Sequence, residues 1–267
     1  MKAALAPSRW TTLLALALCV VIVAPLAIPV AVSFSDSVLV GFPPHGLTLR
    51  WYGKVLADAD FRDTFLFSAE LGAMVTLVCI ALGLPCALGL ARCEFPGKTL
   101  VNGLVLAPLI FPVLVAGVAL LQCANALGIT DSLWLLTLGH VAICLPYLVR
   151  SVSAALLVMP RTTEDAARTL GANPWVTFRR ITLPQVAGGV SAGAVFCFVT
   201  SFDDYTMAMW LADARHFTLP LQVGVFIERS FDPGVAAIAG LMIGFSVLLI
   251  VFVERVLKVK LEKFVIG

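Results

Sequence analysis

Residues 164–184 read EDAARTLGANPWVTFRRITLP, the longest well-mixed polar stretch of the chain. Around it lie apolar runs. Of the 267 positions, 60% are apolar and 13% charged, and the mean hydropathy is +1.01, outside the balance of soluble globular domains. The chain therefore reads as an integral membrane protein, and the polar stretch as a connection kept out of the lipid.

A helix needs about 20 apolar residues to cross the hydrocarbon core. Six runs meet that length, at about 11–33, 64–91, 100–127, 132–159, 185–211 and 235–253. The expected fold is all-α, six transmembrane helices in one domain over 1–267. Lys2 and Arg9 ahead of the first run, and the AVS at its end, resemble a secretion signal. An apolar run of about 23 residues is too long for a signal core, so it is read as a retained helix.

Six spans put both termini on one side. Thirteen of the eighteen Lys and Arg residues then share one face, among them Arg92, Lys98, Arg150, Arg161, Arg179 and Arg180. The positive-inside rule assigns that face to the cytoplasm. Trp10, Trp134 and Trp210 fall near span ends, where amphipathic rings favour the interface. Eleven of the sixteen acidic residues lie outward, including Asp58, Asp131, Asp213 and Asp232. Such a face suits a cationic ligand, and it is equally what exported loops poor in Lys and Arg look like.

On this topology the polar stretch joins spans four and five in the cytoplasm, over 160–184. Thr162 or Thr163 is placed to cap a first helix whose opening turn carries Glu164 and Asp165. Ala166, Ala167 and Leu170 form a small apolar stripe at helical spacing. Gly171 sits where a left-handed residue ends the helix. Asn173 and Pro174 restart one as cap and first position, Trp175, Phe178 and Ile181 give it an apolar side, and Leu183 with Pro184 ends it. Such a helix fits a partner's groove or a headgroup layer.

Elsewhere the outer segment 34–63 holds LTLRWYGKVL, a short interfacial helix. Pro25, Pro29, Pro85, Pro108, Pro112 and Pro146 predict kinks inside spans. The chain has no internal repeat and no low-complexity tract.

The pattern DAARTLG, nine residues, then ITLP resembles the cytoplasmic EAA loop of the inner-membrane permease subunits of bacterial ABC importers. That loop reads E-A-A-x-x-x-G, nine residues, then I-x-L-P. Asp165 stands where the family has Glu, while Ala166, Ala167, Gly171, Ile181, Leu183 and Pro184 match. Glu164 lies one place earlier, about 100° around the helix. RWYGKVL, CEFPGKTL, GHVAICLPYLVR, SFDDYTMAMW and FTLPLQV are similar to the spermidine and putrescine branch, specifically its second permease subunit.

The resemblance implies a MetI-like fold in the bacterial inner membrane, with a coupling helix between helices 4 and 5. Glu164, Asp165, Ala166, Ala167, Leu170, Gly171, Ile181, Leu183 and Pro184 would meet an ATPase there. The implied partners are a second permease subunit, a dimeric ABC ATPase that uses ATP and magnesium, and a periplasmic binding protein. The chain itself would bind no cofactor and hydrolyse nothing. The implied solute is a polyamine; the alternatives are an amino acid derivative, iron or an oxyanion.

Asp203, Asp204 and Tyr205 are the candidate pathway residues. Asp203 lies about 18 residues beyond Gln185, or roughly 27 Å along a helix, in the outer part of the bilayer. Carboxylates there face water, a partner or a ligand. Asp204 continues a stripe of Gly193, Cys197, Thr200 and Ser201, which makes it the better pathway candidate. The competing reading pairs these aspartates with Arg215 or a partner subunit. For a polyamine, Asp204 offers charge and Tyr205 an aromatic face.

Other motifs fall short. PGKT at 96–99 lacks the glycine a phosphate loop needs five places before Gly97, where Arg92 stands. His45, His140 and His216 are too scattered for a metal cluster, and His140 is read as a hydrogen-bonder between helices. No nucleophile elbow surrounds Ser68 or Ser201. The seven cysteines form no C-x-x-C pair and read as small apolar residues. A secondary transporter would carry internal repeats, and a membrane enzyme a catalytic constellation.

Overall fold

The computed structural model describes residues 9–229 and 232–257. Of the thirteen basic residues counted on the cytoplasmic face, Lys2, Lys258, Lys260 and Lys263 lie outside them. In chain order the helices are α1 (Arg9–Ser33), α2 (Arg50–Ala57), α3 (Ala59–Arg92) and α4 (Lys98–Leu106). A 3-10 turn (Ala107–Leu109) leads to α5 (Val113–Ala126), α6 (Ser132–Val158), α7 (Arg161–Thr169) and α8 (Pro174–Thr177). A π-turn (Phe178–Thr182) joins α8 to α9 (Leu183–Phe202), followed by α10 (Ala208–Leu211), α11 (Leu219–Arg229) and α12 (Gly234–Leu257). No strand occurs among the described residues.

Five helical stretches among the described residues are long and apolar enough to span a membrane: those of α1, α3, α6, Pro174–Phe202 and α12. The third expected span is broken. Over 100–127 the chain bends by 104° between the α4 side and α5, where a single kinked helix was expected. Pro108 lies inside the 3-10 turn and Pro112 caps α5 at ψ 123°. The residue before a proline is disfavoured in the α region, so Pro112 turns Phe111 out of the helix as well. The fifth span also shifts: expected at 185–211, it runs from Pro174 to Phe202.

The described residues divide into two compact units, 9–62 with 223–229 and 232–245, and 63–222 with 246–257. In the first, the expected helix in LTLRWYGKVL is α2, held by its aromatic residues. The Trp51 indole donates to the Ser35 carbonyl at 2.9 Å, and the Tyr52 hydroxyl lies 2.7 Å from Ser33 Oγ. Lys54 reaches Asp232 at 2.8 Å.

The second unit is built on α6 and α9. Leu136, Cys144, Leu148, Val152 and Leu156 of α6 are fully buried, with Val75 and Cys79 of α3 in the same core. Gly189 and Gly193, one turn apart, let the α9 backbone come close, the small-residue packing that suits helices in lipid. A Cβ on Gly189 would lie 2.7 Å from Ala155 Cβ and 2.8 Å from the Ser151 carbonyl oxygen. Polar atoms tie the same seam: Ser151 Oγ donates to Gly189 O at 2.7 Å. The Cys144 and Cys197 thiols each donate to the other's carbonyl, at 3.4 and 3.3 Å. Gly189→Val is therefore expected to destabilise the subunit by about 1–3 kcal/mol, the cost of overpacking. Thermal melting in detergent checks it, and an unchanged midpoint would mean that the two helices part freely.

Candidate functional site

The 160–184 connection folds as two helices with a glycine break, as the local signals predict. The first begins earlier than expected. Its N-cap is Pro160, not Thr162 or Thr163, and Arg161 already lies in the first turn. At its end Gly171 adopts φ +86°. Its N–H donates to Arg168 O at 2.9 Å, and the Ala172 N–H donates to Ala167 O at 3.0 Å. These are the two bonds of a Schellman stop. The Asn173 side chain then accepts from the Val176 N–H at 2.8 Å and caps the next helix, with Pro174 at its first position.

That second helix does not stop at Leu183 and Pro184. It runs through the π-turn straight into α9. Proline lacks an N–H and its ring crowds the carbonyl four residues back. A π-turn moves the bonding partner to the fifth residue back, so the widened turn just before Pro184 accommodates the ring without a break. Ile181 packs against the core, Leu183 is half-buried and Pro184 is exposed.

The two acids of the loop part company. Glu164 is buried. Its Oε2 lies 2.9 Å from Arg92 Nε at the end of α3, and its Oε1 accepts from the Thr182 hydroxyl at 2.7 Å. Asp165 points outward, with Arg168 Nη1 3.8 Å from its Oδ1. Two more ties hold the loop base: Arg161 Nη2 donates to Ala91 O at 2.6 Å, and Arg92 Nη1 to Leu156 O at 3.4 Å. Arg92 and Thr182 carried no motif in the sequence. The one available signal was an arginine at the end of a span whose nearest acid, Glu94, is taken up by Lys98.

What remains outside is a small apolar face. Leu170 is 88% exposed and Trp175 65% exposed, and Ala166 and Gly171 are exposed beside them. A Cβ on Gly171 would meet nothing within 4 Å. Ala167 is half-buried. Apolar side chains displayed this fully beside an anchored base suit a partner's groove or a headgroup layer.

At the far end of α9 the helix stops at Phe202, and Asp203 and Asp204 fall in the turn after it. Asp204 is occupied by local structure. Its Oδ2 accepts from the N–H groups of Met207 and Ala208, at 2.8 and 3.1 Å, and lies 3.8 Å from His140 Nε2. Its basic neighbour within the chain is thus the imidazole of His140, where Arg215 was the candidate. The His140 ring is fully buried and its Nδ1 lies 2.8 Å from Ser201 Oγ, which bridges α6 to α9 as the helix-packing reading requires. Asp203 and Tyr205 are exposed. Nearby, Asp213 Oδ1 accepts from the N–H groups of Arg215 and His216, at 2.9 and 2.7 Å. Desolvation works to raise that carboxyl, but these donors and the His216 ring outweigh it and hold it below the usual carboxylate range.

A family described as the binding-protein-dependent transport system inner membrane component matches residues 3–263. The putrescine transport system permease protein PotI of Escherichia coli K12 is 31% identical over 247 residues, 90% of this chain and 87% of its own. The spermidine/putrescine transport system permease protein PotC of the same strain is 27% identical over 227 residues, 85% of this chain and 86% of its own. The molybdenum transport system permease protein ModB of Mycobacterium bovis is 30% identical over 225 residues, 77% of this chain and 84% of its own. Among solved structures, a chain of a bacterial alginate ABC transporter, in complex with an alginate pentasaccharide-bound periplasmic protein, matches with a TM-score of 0.69. Its identity is 14% and 92% of each chain is covered, which is a likeness of fold.

Proposed function

The chain belongs to the family of binding-protein-dependent transport system inner membrane components, and on that premise we propose that it forms half of a pathway that imports a polyamine. As a member it is a multi-pass membrane permease subunit of an ABC importer, a transport component rather than an enzyme. Both compact units would serve one permease domain, with the termini in the cytoplasm. A second permease subunit would complete the pathway, a dimeric ATPase would receive the face of Ala166, Leu170 and Gly171, and a binding protein would deliver solute from the periplasm.

The observation that carries the coupling role is the glycine-stopped α7 on its buried base, with Leu170 and Trp175 displayed. Leu170 is almost wholly exposed, and Trp175 stays largely exposed beside Phe178, so a partner's groove accounts for their display at least cost in exposed apolar surface. For the solute, two relatives named for putrescine or spermidine support a polyamine, as do Asp203, Asp204 and Tyr205 where α9 ends. The similarity to a molybdenum permease favours a second reading, an oxyanion, which those carboxylates would repel. Uptake by the assembled complex decides between them: radiolabelled putrescine is expected to enter in an ATP-dependent way and molybdate not to compete. Molybdate uptake would overturn the polyamine reading.

Topology has its own test. In a cysteine-free background, a cysteine at Thr163 is expected to react with an impermeant reagent only from the cytoplasm, and cysteines beside Asp58 and Asp213 only from outside. The reverse pattern would overturn the orientation.

A further inference from the structure

We propose that Arg92, Glu164 and Thr182 form a rigid link through which α7 and the cytoplasmic end of α3 move as one body. Force received at the loop would then reach α3 directly, without travelling along the chain through α6. The proposal rests on the reading of 164–184 as the coupling loop.

Four chain segments meet at this point. Arg92 is the last residue of α3, Leu156 lies near the end of α6, Glu164 belongs to α7, and Thr182 closes the π-turn. Both carboxylate oxygens of Glu164 are engaged, one beside the Arg92 guanidinium and one by the Thr182 hydroxyl. Arg92 extends the link to the Leu156 carbonyl, and Arg161 repeats it from α7 to the Ala91 carbonyl. The Arg92–Glu164 contact is an ion pair at 2.9 Å, and the directional bonds around it are those from Thr182 to Glu164, from Arg92 Nη1 to Leu156 O and from Arg161 Nη2 to Ala91 O. A buried ion pair is a poor device for stability, because well-packed apolar residues do as well or better, but it fixes one register. Register is what a lever needs. Its partner here is the π-turn, the one part of the Pro174–Phe202 helix not built on regular α bonding, and Thr182 ties that turn to the same carboxylate. An ATPase displacing α7 would therefore pull on α3 and on the root of α9 together.

The test is made on the complex assembled with its ATPase. Spin labels are placed at Cys93 and at a cysteine replacing Thr169, both exposed, with the other six cysteines substituted. In the wild-type background a single narrow distance is expected, equal in the nucleotide-free and ATP-analogue-bound states. Glu164→Gln and Thr182→Val should broaden it or make it nucleotide-dependent. They should also lower the putrescine transported per ATP hydrolysed by about tenfold, within the span of ordinary coupling free energies. The reversal Arg92→Glu with Glu164→Arg should restore the narrow distance, which a loss of fold would not allow. A wild-type distance that changes with nucleotide overturns the link, and so does a Glu164→Gln variant with the wild-type distance and transport ratio. If Glu164→Gln fails to accumulate, Thr182→Val and Arg92→Lys, which keeps the charge but not the planar fork, give the same readings. Failure of the underlying reading looks different: a label at Leu170 would stay equally accessible with and without the ATPase, whatever the distance between the first pair.

Discussion

Valine in place of Gly171 is expected to abolish ATP-driven uptake while the subunit still inserts in the membrane. The residue holds φ +86°, where a side chain with a Cβ costs about 1–2 kcal/mol, more when β-branched. That strain falls on the two bonds that turn the chain between α7 and α8, from Gly171 to Arg168 and from Ala172 to Ala167. Nothing in the subunit itself would clash, since no atom lies within 4 Å of the added Cβ. Instead the new side chain enters the face shared by Leu170 and Ala166. The loss should therefore appear at docking rather than at folding: ATPase no longer co-purifies, or hydrolyses without driving uptake. Asparagine tolerates the left-handed region, so Gly171→Asn separates the causes. A coupled Gly171→Asn assigns the defect to the backbone, and an uncoupled one to the docking face. Full uptake with normal ATPase stimulation in both Gly171→Val and Ala166→Trp removes the coupling role altogether.

How much of this was legible beforehand differs from residue to residue. Span existence depends on length and apolarity, both local, so five of the six runs appear as spanning helices, the one expected at 185–211 shifted toward its start, while the run at 100–127 is broken. The Gly171 stop and the Asn173–Pro174 restart were also local, because a left-handed stop and a cap depend on side chains within a few positions. Pro108 and Pro112 announced a kink but not its angle, since the 104° bend is set by how the two halves pack and not by the prolines alone. Pro184 reads as a terminator in any window, and its inclusion in a continuous helix depends on a π-turn that no residue pattern announces. Glu164 and Asp165 are the sharpest case. They are adjacent acids with the same local preference, and 100° of rotation decides which is buried. Arg92 makes that choice, from the end of a helix far away in the chain. Asp204 is a similar case: its stripe along α9 suggested a pathway lining, but α9 ends before reaching it and the carboxylate is turned back as a cap.

The capping role makes the second large prediction sharper. Asparagine caps a helix about as well as aspartate, so Asp204→Asn should keep an acceptor for the Met207 and Ala208 N–H groups and lose only the charge. Subunit abundance and ATPase assembly should stay near wild type. If the carboxylate meets an ammonium group at the pathway's outer end, uptake of putrescine should fall by roughly ten- to a hundredfold, the worth of a hydrogen bond to a charged group at about 1.5–3 kcal/mol. Asp204→Ala tests the cap instead, and a loss of about 1 kcal/mol in stability is expected for it. Asp203→Asn adds the discrimination that geometry calls for: its carboxylate is exposed and holds no cap, so a larger loss of uptake there than at Asp204 would move the ligand contact to Asp203. The two single variants thus divide a capping role from a pathway role at neighbouring positions. Normal putrescine uptake in both, at normal abundance, would leave these carboxylates with structural duties only and put the ligand contact elsewhere in the pathway.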